Sequence, residues 1–194
     1  MTDMQIPAIL PKTALLLVDI QNDYFPGGKN ELQGSLEAGL QAAHLLELFR
    51  RTRQTIIHIQ HLSNRPGAKT FLPNTSGVQF HPSVQPLGRE TIIQKHFPNS
   101  FRETGLREQL YNNQVSRLLI VGMMTHMCVD ATVRAACDYG FDCIVAADAC
   151  ATKDLSFQGQ AIPAAHVHAA FLAALQGMYA KVLTVEEAVT LLGS

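Results

Sequence analysis

Residues 118–147 read LLIVGMMTHMCVDATVRAACDYGFDCIVAA. The run LLIVG at 118–122 predicts a strand covered on both faces. An amphipathic helix is expected over 127–139, with Gly140 as its stop. A second apolar strand follows at 142–147. A strand, a helix and a strand in this order make a βαβ unit, whose strands run parallel through a right-handed crossover.

The same alternation extends in both directions. Upstream, ALLLVDI at 14–20 predicts a buried strand, and a helix follows over 33–53. That helix carries Leu36, Leu40, Ala43, Leu45, Leu46 and Phe49 at mixed three- and four-residue spacing. TIIHIQH at 55–61 and TIIQK at 91–95 predict two further strands, and 104–113 a short helix with Thr104 as its cap. Downstream, Pro163 opens a helix over 163–175. A sixth strand is expected at 181–183. A last helix over 185–192 has Thr184 and Glu187 in capping-box spacing. The expected fold is α/β: a three-layer, Rossmann-like arrangement with an about six-stranded, mostly parallel sheet and helices on both faces. Nothing resembles a linker, so residues 1–194 are expected to form one domain. Residues 63–88 are rich in Pro, Gly, Ser and Asn without a period, and a loop that long inside a domain is usually functional.

Composition narrows the function classes. Fifteen basic and sixteen acidic side chains leave a net charge of −1, which argues against nucleic acid or an anionic membrane as partner. Only 16% of residues are charged, against about 25% in globular chains. A surface so poor in charge is expected to be partly covered in a homo-oligomer, a dimer or tetramer. The first residues, MTDMQIPAIL, lack the pattern of a signal peptide, and no apolar run approaches the ~20 residues of a membrane helix. A cytoplasmic location is expected, with Cys128, Cys137, Cys143 and Cys150 as free thiols.

Ligands of open parallel sheets bind beyond the carboxyl ends of the strands. Three ionisable residues stand there. Asp19 closes LLLVD, where a buried carboxylate needs a partner; alone it reads equally well as a loop anchor. Lys95 closes TIIQK, and alone it reads as a lysine snorkelling to water. Cys128 stands at the opening of a helix, where free N–H groups and the macrodipole favour a thiolate; alone it reads as a small core residue. A thiol, a carboxylate base and a cation on one rim are the parts of an activated cysteine nucleophile.

ALLLVDIQNDY at 14–24, QKHFPNSF at 94–101 and VGMMTHMCVDATVRAA at 121–136 together resemble the isochorismatase-like cysteine hydrolases. This superfamily includes nicotinamidases, N-carbamoylsarcosine amidases and ureidoacrylate-type amidases. The resemblance covers about residues 11–183 and implies roles: Cys128 as nucleophile, Asp19 as general base, and Lys95 as the supporting cation. It also implies a cis peptide at Met123–Met124 and an oxyanion hole from the backbone N–H groups of Met124 and Cys128. The implied reaction is cleavage of an amide, ureido or carbamoyl C–N bond of a small molecule through a thioester, without a cofactor.

The pattern departs from the family in one segment. Nicotinamidases of this superfamily bind a metal through an aspartate and histidines after the second strand. HIQHLSNRPGAKTF at 58–71 has His58 and His61, no aspartate, and no further histidine until His81. Residues three apart on a strand face opposite ways, so no metal is expected. The candidates for substrate contact are Gln21, Phe25, His61, Phe97, Phe101 and Thr125, with Arg65, Arg89 or Arg102 for a substrate carboxylate. The alternative function is a Rossmann-like small-molecule-binding or scaffold protein without catalysis. A nucleotide site predicts a glycine-rich turn after the first strand; DIQNDYFPGG at 19–28 places its glycines too late. A silent scaffold predicts loss of one of the three rim residues, and all are present.

Overall fold

The computed structural model describes residues 11–193. The expectation about a targeting signal, which rests on the first ten residues, lies outside that range. Strands β1 (Thr13–Val18), β2 (Thr55–His61), β3 (Thr91–Lys95), β4 (Arg117–Met123), β5 (Asp142–Ala151) and β8 (Lys181–Leu183) form one parallel sheet in the order β3-β2-β1-β4-β5-β8. Helices α1 (Ser35–Arg51), α2 (Leu106–Asn112), α3 (Asp130–Asp138), α4 (Ala164–Leu175) and α5 (Val185–Gly193) cover it.

Alternation along β1 builds the two core layers. Leu15 and Leu17 pack with Ala42, Leu45, Leu46 and Phe49 of α1 and with Ala188 of α5. Ala14, Leu16 and Val18 pack on the other face with Leu106 and Leu110 of α2, Val133 of α3 and Leu172 of α4. A fully buried Leu or Phe contributes roughly 1.5–3 kcal/mol, so this double coverage fixes the central strand firmly. Edge strand β3 alternates instead, with Ile92 and Gln94 outward. The order reverses between β1 and β4, which places the switch-point crevice at Asp19 and at the turn after Met123. Gly122 lets these strands close up. Its φ is 126°, and a Cβ there would lie 2.0 Å from the Val18 carbonyl oxygen.

Several boundaries differ from the sequence expectation. The helix foreseen over 127–139 opens with a π turn at Thr125–Val129, in which Val129 N–H donates to Met124 O at 3.2 Å. Strand β5 runs on to Ala151, because its register with β4 jumps: Ile120 pairs with Val145, but Gly122 pairs with Cys150. The excursion between them brings Asp148 to the start of α5, where its carboxylate accepts from Val185 N–H at 2.8 Å. A hairpin, β6 (Leu155–Phe157) and β7 (Gln160–Ile162), occupies a stretch to which the sequence pattern assigned no element. Residues 63–88 contain 3-10 turns at Ser76–Val78 and Pro82–Val84. The capping box at the last helix is present: Thr184 N–H donates to Glu187 Oε2 at 2.8 Å, and Glu187 N–H to Thr184 Oγ1 at 3.2 Å. No helix among the described residues is long and apolar enough to cross a membrane.

Candidate active site

Three strand ends bring Asp19, Lys95 and Cys128 together. Each is nearly sealed from solvent, at 0%, 1% and 3% exposure. The Lys95 ammonium lies 2.6 Å from Asp19 Oδ2 and 3.3 Å from Cys128 Sγ. It also donates to Phe97 O at 3.0 Å and approaches His61 Nδ1 at 3.3 Å. The chain turns sharply at Asp19, with φ at 52°, and this lifts the carboxylate off the strand path. Among the described residues, no hydrogen bond of good geometry reaches either Asp19 oxygen. The Lys95 ammonium is the ion-pair partner of this carboxylate. The Met123–Met124 peptide is cis.

Electrostatics qualify the expectation of a resting thiolate. Burial pushes the Cys128 thiol up, the Asp19 charge pushes it further, and Lys95 pulls against both without winning. Burial and the Asp19 charge thus act against the helix-start effect. Burial also acts to lower Lys95, but the charge of Asp19 beside it works the other way, and the net direction is upward. Burial, with Lys95 alongside, pushes His61 down to about 4 against the pull of Asp19. His61 is thus neutral at pH 7.

A cavity of about 410 Å³ opens above this cluster. Its apolar walls include Tyr24, Phe71, Met124 and Met127, and its polar rim includes Asn30, His61, Arg65 and Lys153. Tyr24 keeps its proton, because burial raises its hydroxyl well above the usual value. Buried Asp23 anchors the cover. Its carboxylate accepts from Phe71 N–H at 2.5 Å and from Lys29 N–H at 3.3 Å. This ties residues 63–88 to the turn after β1.

Of the six substrate-contact candidates, the structure places only His61 in the cavity wall. Gln21 is consumed internally: its amide donates to His61 O at 3.0 Å and Val78 O at 2.7 Å and accepts from His61 N–H at 2.8 Å. Phe25 points elsewhere and stacks on His81 at 3.6 Å. Phe97 contributes its carbonyl, while its ring lies under the Arg102 guanidinium. Phe101 packs on Tyr139 and Phe141 in the core. Thr125 braces the π turn instead, donating to Ala151 O at 3.2 Å and meeting His168 Nδ1 at 2.9 Å. Of the arginines only Arg65 lines the cavity. Sequence reasoning missed Tyr24, Asn30, Phe71 and Lys153. Tyr24 had a usable signal, since it stands inside the quoted 14–24 motif.

The histidines do not fit a shared metal. His58 faces away from the cavity and meets Glu90 Oε2 at 2.8 Å through Nε2, and His61 Nδ1 faces Lys95. Among the described residues no group of three or more His, Cys, Asp or Glu side chains is placed to hold a metal ion.

One buried histidine, His58, and four half-buried ones weaken the fold toward acid. Burial lowers His58, His61, His81, His126 and His168 alike. The unfolded chain protonates such groups near pH 6.5 while the native chain does not. The unfolded state thus binds more protons below that pH, and stability falls as pH falls. Glu90 acts in the same sense: burial would raise it, but Arg50 holds it at about 2, so its stabilisation is lost as pH drops below about 4.5. The thermal unfolding midpoint is expected to decline steadily from pH 7 to pH 4.5. A midpoint that is flat or rises toward acid contradicts this account.

A parallel three-layer chain with a buried carboxylate, ammonium and thiol at its switch point defines a class of hydrolase folds. The Isochorismatase domain model matches residues 13–187, and the chain belongs to the isochorismatase family of hydrolases. YddQ, an isochorismatase family protein of Bacillus subtilis, is 51% identical over 174 residues, covering 90% of this chain and 97% of its own. A solved structure from Oleispira antarctica, named for the isochorismatase hydrolases, has a TM-score of 0.90 and 46% identity, covering 94% of this chain and 98% of that one. The nicotinamidase of Escherichia coli is 26% identical over 189 residues, covering 78% of this chain and 89% of its own.

Proposed function

We propose that the chain hydrolyses a C–N bond of a small amide, carbamoyl or ureido compound through a thioester on Cys128. The carrying observation is the Lys95 ammonium set between Asp19 Oδ2 and Cys128 Sγ, with Cys128 in the cavity wall. The amidase relative supports the choice of bond.

The thiol proton leaves as attack begins. Asp19 takes it, and the sulfur adds to the carbonyl carbon while Lys95 steadies the growing negative charge. Backbone N–H groups of Met124 and Cys128 receive the oxyanion, where one such donor is typically worth about 3–4 kcal/mol. Asp19 returns the proton to the departing nitrogen, which leaves as ammonia or an amine. Water, deprotonated by Asp19, then cleaves the thioester to a carboxylic acid and restores the thiol. Tyr24, Phe71 and Met127 keep bulk water from the reacting atoms.

The test is ammonia release across a panel of primary amides, carbamoyl compounds and ureides, with hydroxylamine present to divert the acyl group. At least one class is expected to release nitrogen and to yield the hydroxamate that a thioester gives. Nitrogen release without hydroxamate or acylated Cys128 overturns the thioester, and a panel with no release at all overturns the C–N assignment.

A further inference from the structure

Resting on the hydrolase reading above, we infer that His168 is a positioning residue for the reaction: from α4 it holds the π turn that carries the oxyanion-binding N–H groups of Met124 and Cys128. Thr125, the first residue of that turn, is the link. It is 0% exposed, so its hydroxyl depends on protein partners. Those are Ala151 O at 3.2 Å and His168 Nδ1 at 2.9 Å. A hydroxyl has one proton to give, and here it lies between a strand carbonyl and a ring nitrogen. Burial lowers His168, so the ring is neutral at pH 7 and has a bare nitrogen able to accept. A backbone hydrogen bond at Ala147 pulls the other way and ties the same ring to β5.

The pattern of α4 places this contact. His168 lies four residues after Ala164 and four before Leu172, both buried, so it shares their face of the helix. Phe171, three residues on, meets the His126 ring edge-to-face at 5.8 Å. His126 in turn hydrogen-bonds Thr152 Oγ1 through Nδ1. Thr125 and His126 of the turn are thus fixed to Ala151 and Thr152, and both are backed by one face of α4. Within the turn, Met124 O accepts from Met127 N–H at 3.0 Å and from Val129 N–H at 3.2 Å. A rotation at Thr125 therefore re-aims the N–H groups of the whole turn. Without the His168 acceptor the hydroxyl still has Ala151 O, so no polar group is orphaned while the turn loses its outer support. Asp19 and Lys95 stand on other strands and do not depend on that support.

The experiment reads Cys128 with two probes. Iodoacetamide is substituted at a saturated carbon and forms no oxyanion, whereas p-nitrophenyl acetate is attacked at its carbonyl and does. His168→Leu should slow acylation by p-nitrophenyl acetate about tenfold to a hundredfold, the cost of a slight misalignment, and leave alkylation by iodoacetamide unchanged. His168→Asn puts an amide oxygen where Nδ1 stood and should restore acylation. Thr125→Val breaks the same contact from the other side and should show the same split, so the comparison survives a misfolded His168→Leu protein. The double substitution should add little to either single loss. Equal falls in both rates, additive losses, or a loss that His168→Asn does not restore overturns the inference. Wild-type acylation that both single variants leave intact refutes this inference alone. Wild-type protein that iodoacetamide alkylates, but that neither p-nitrophenyl acetate nor any amide of the panel acylates, refutes the hydrolase proposal, and this inference falls with it.

Discussion

Cys128→Ser protein is expected to lose about four to six orders of magnitude in kcat, the scale on which a hydrolase loses its nucleophile. The fold should survive. Cys128 is 3% exposed, its sulfur accepts one hydrogen bond from Lys95, and a serine oxygen accepts the same bond in nearly the same volume. An alcohol holds its proton more tightly than a thiol, so Asp19 is too weak a base to remove it as attack begins. Cys143 and Cys150 provide the comparison. Burial pushes both up to about 12, and among the described residues no lysine lowers either. Rates of nitrogen release and thermal midpoints measured on the same preparations decide the matter. A midpoint near that of the wild type with activity within tenfold refutes the nucleophile assignment.

The second large effect falls on stability. Lys95→Met should lower the free energy of unfolding by about 3–5 kcal/mol, because one member of a buried pair is left without its counter-charge. The Asp19 carboxylate is 0% exposed, and among the described residues no second cation pairs with it. Adding Asp19→Asn to the same protein removes the stranded charge, and most of the lost stability should return. Activity should not return, since base and cation are both gone. Urea denaturation of the two single variants and the double variant gives the coupling energy directly. Additive losses show that the 2.6 Å contact contributes nothing, and activity in the double variant removes the pair from the mechanism.

The parallel sheet was legible because each buried strand writes itself as a short apolar run, and the three ionisable residues were legible because each closes such a run. What escaped depended on backbone path. Gln21 follows Asp19 by two residues and looks pocket-facing, but the left-handed turn at Asp19 (φ 52°) redirects the chain and sends the amide to His61 and Val78. Phe25 and Phe101 were candidates through closeness in sequence, and apolar packing claimed both. Lys153 was hidden by the register jump in β5. A strand ending at residue 147 leaves it remote, whereas a strand ending at Ala151 brings it to the rim. The π turn left no periodicity to read, since one wide turn is shorter than any window in which a period shows. Sequence displays the helix start beside Cys128 and conceals the burial that acts against a thiolate there.

Asp23 joins two parts of the molecule that have different tasks. The reacting groups stand on strands and on the turn after β4, within the packed sheet. Much of the cavity wall is carried by residues 63–88, fastened at Phe71 by one carboxylate. Rewriting that segment changes shape and charge at the mouth while the reacting atoms stay in place. The architecture is thus modular: an engineer can exchange the loop between its fastenings and retarget the enzyme to a new molecule without rebuilding its chemistry.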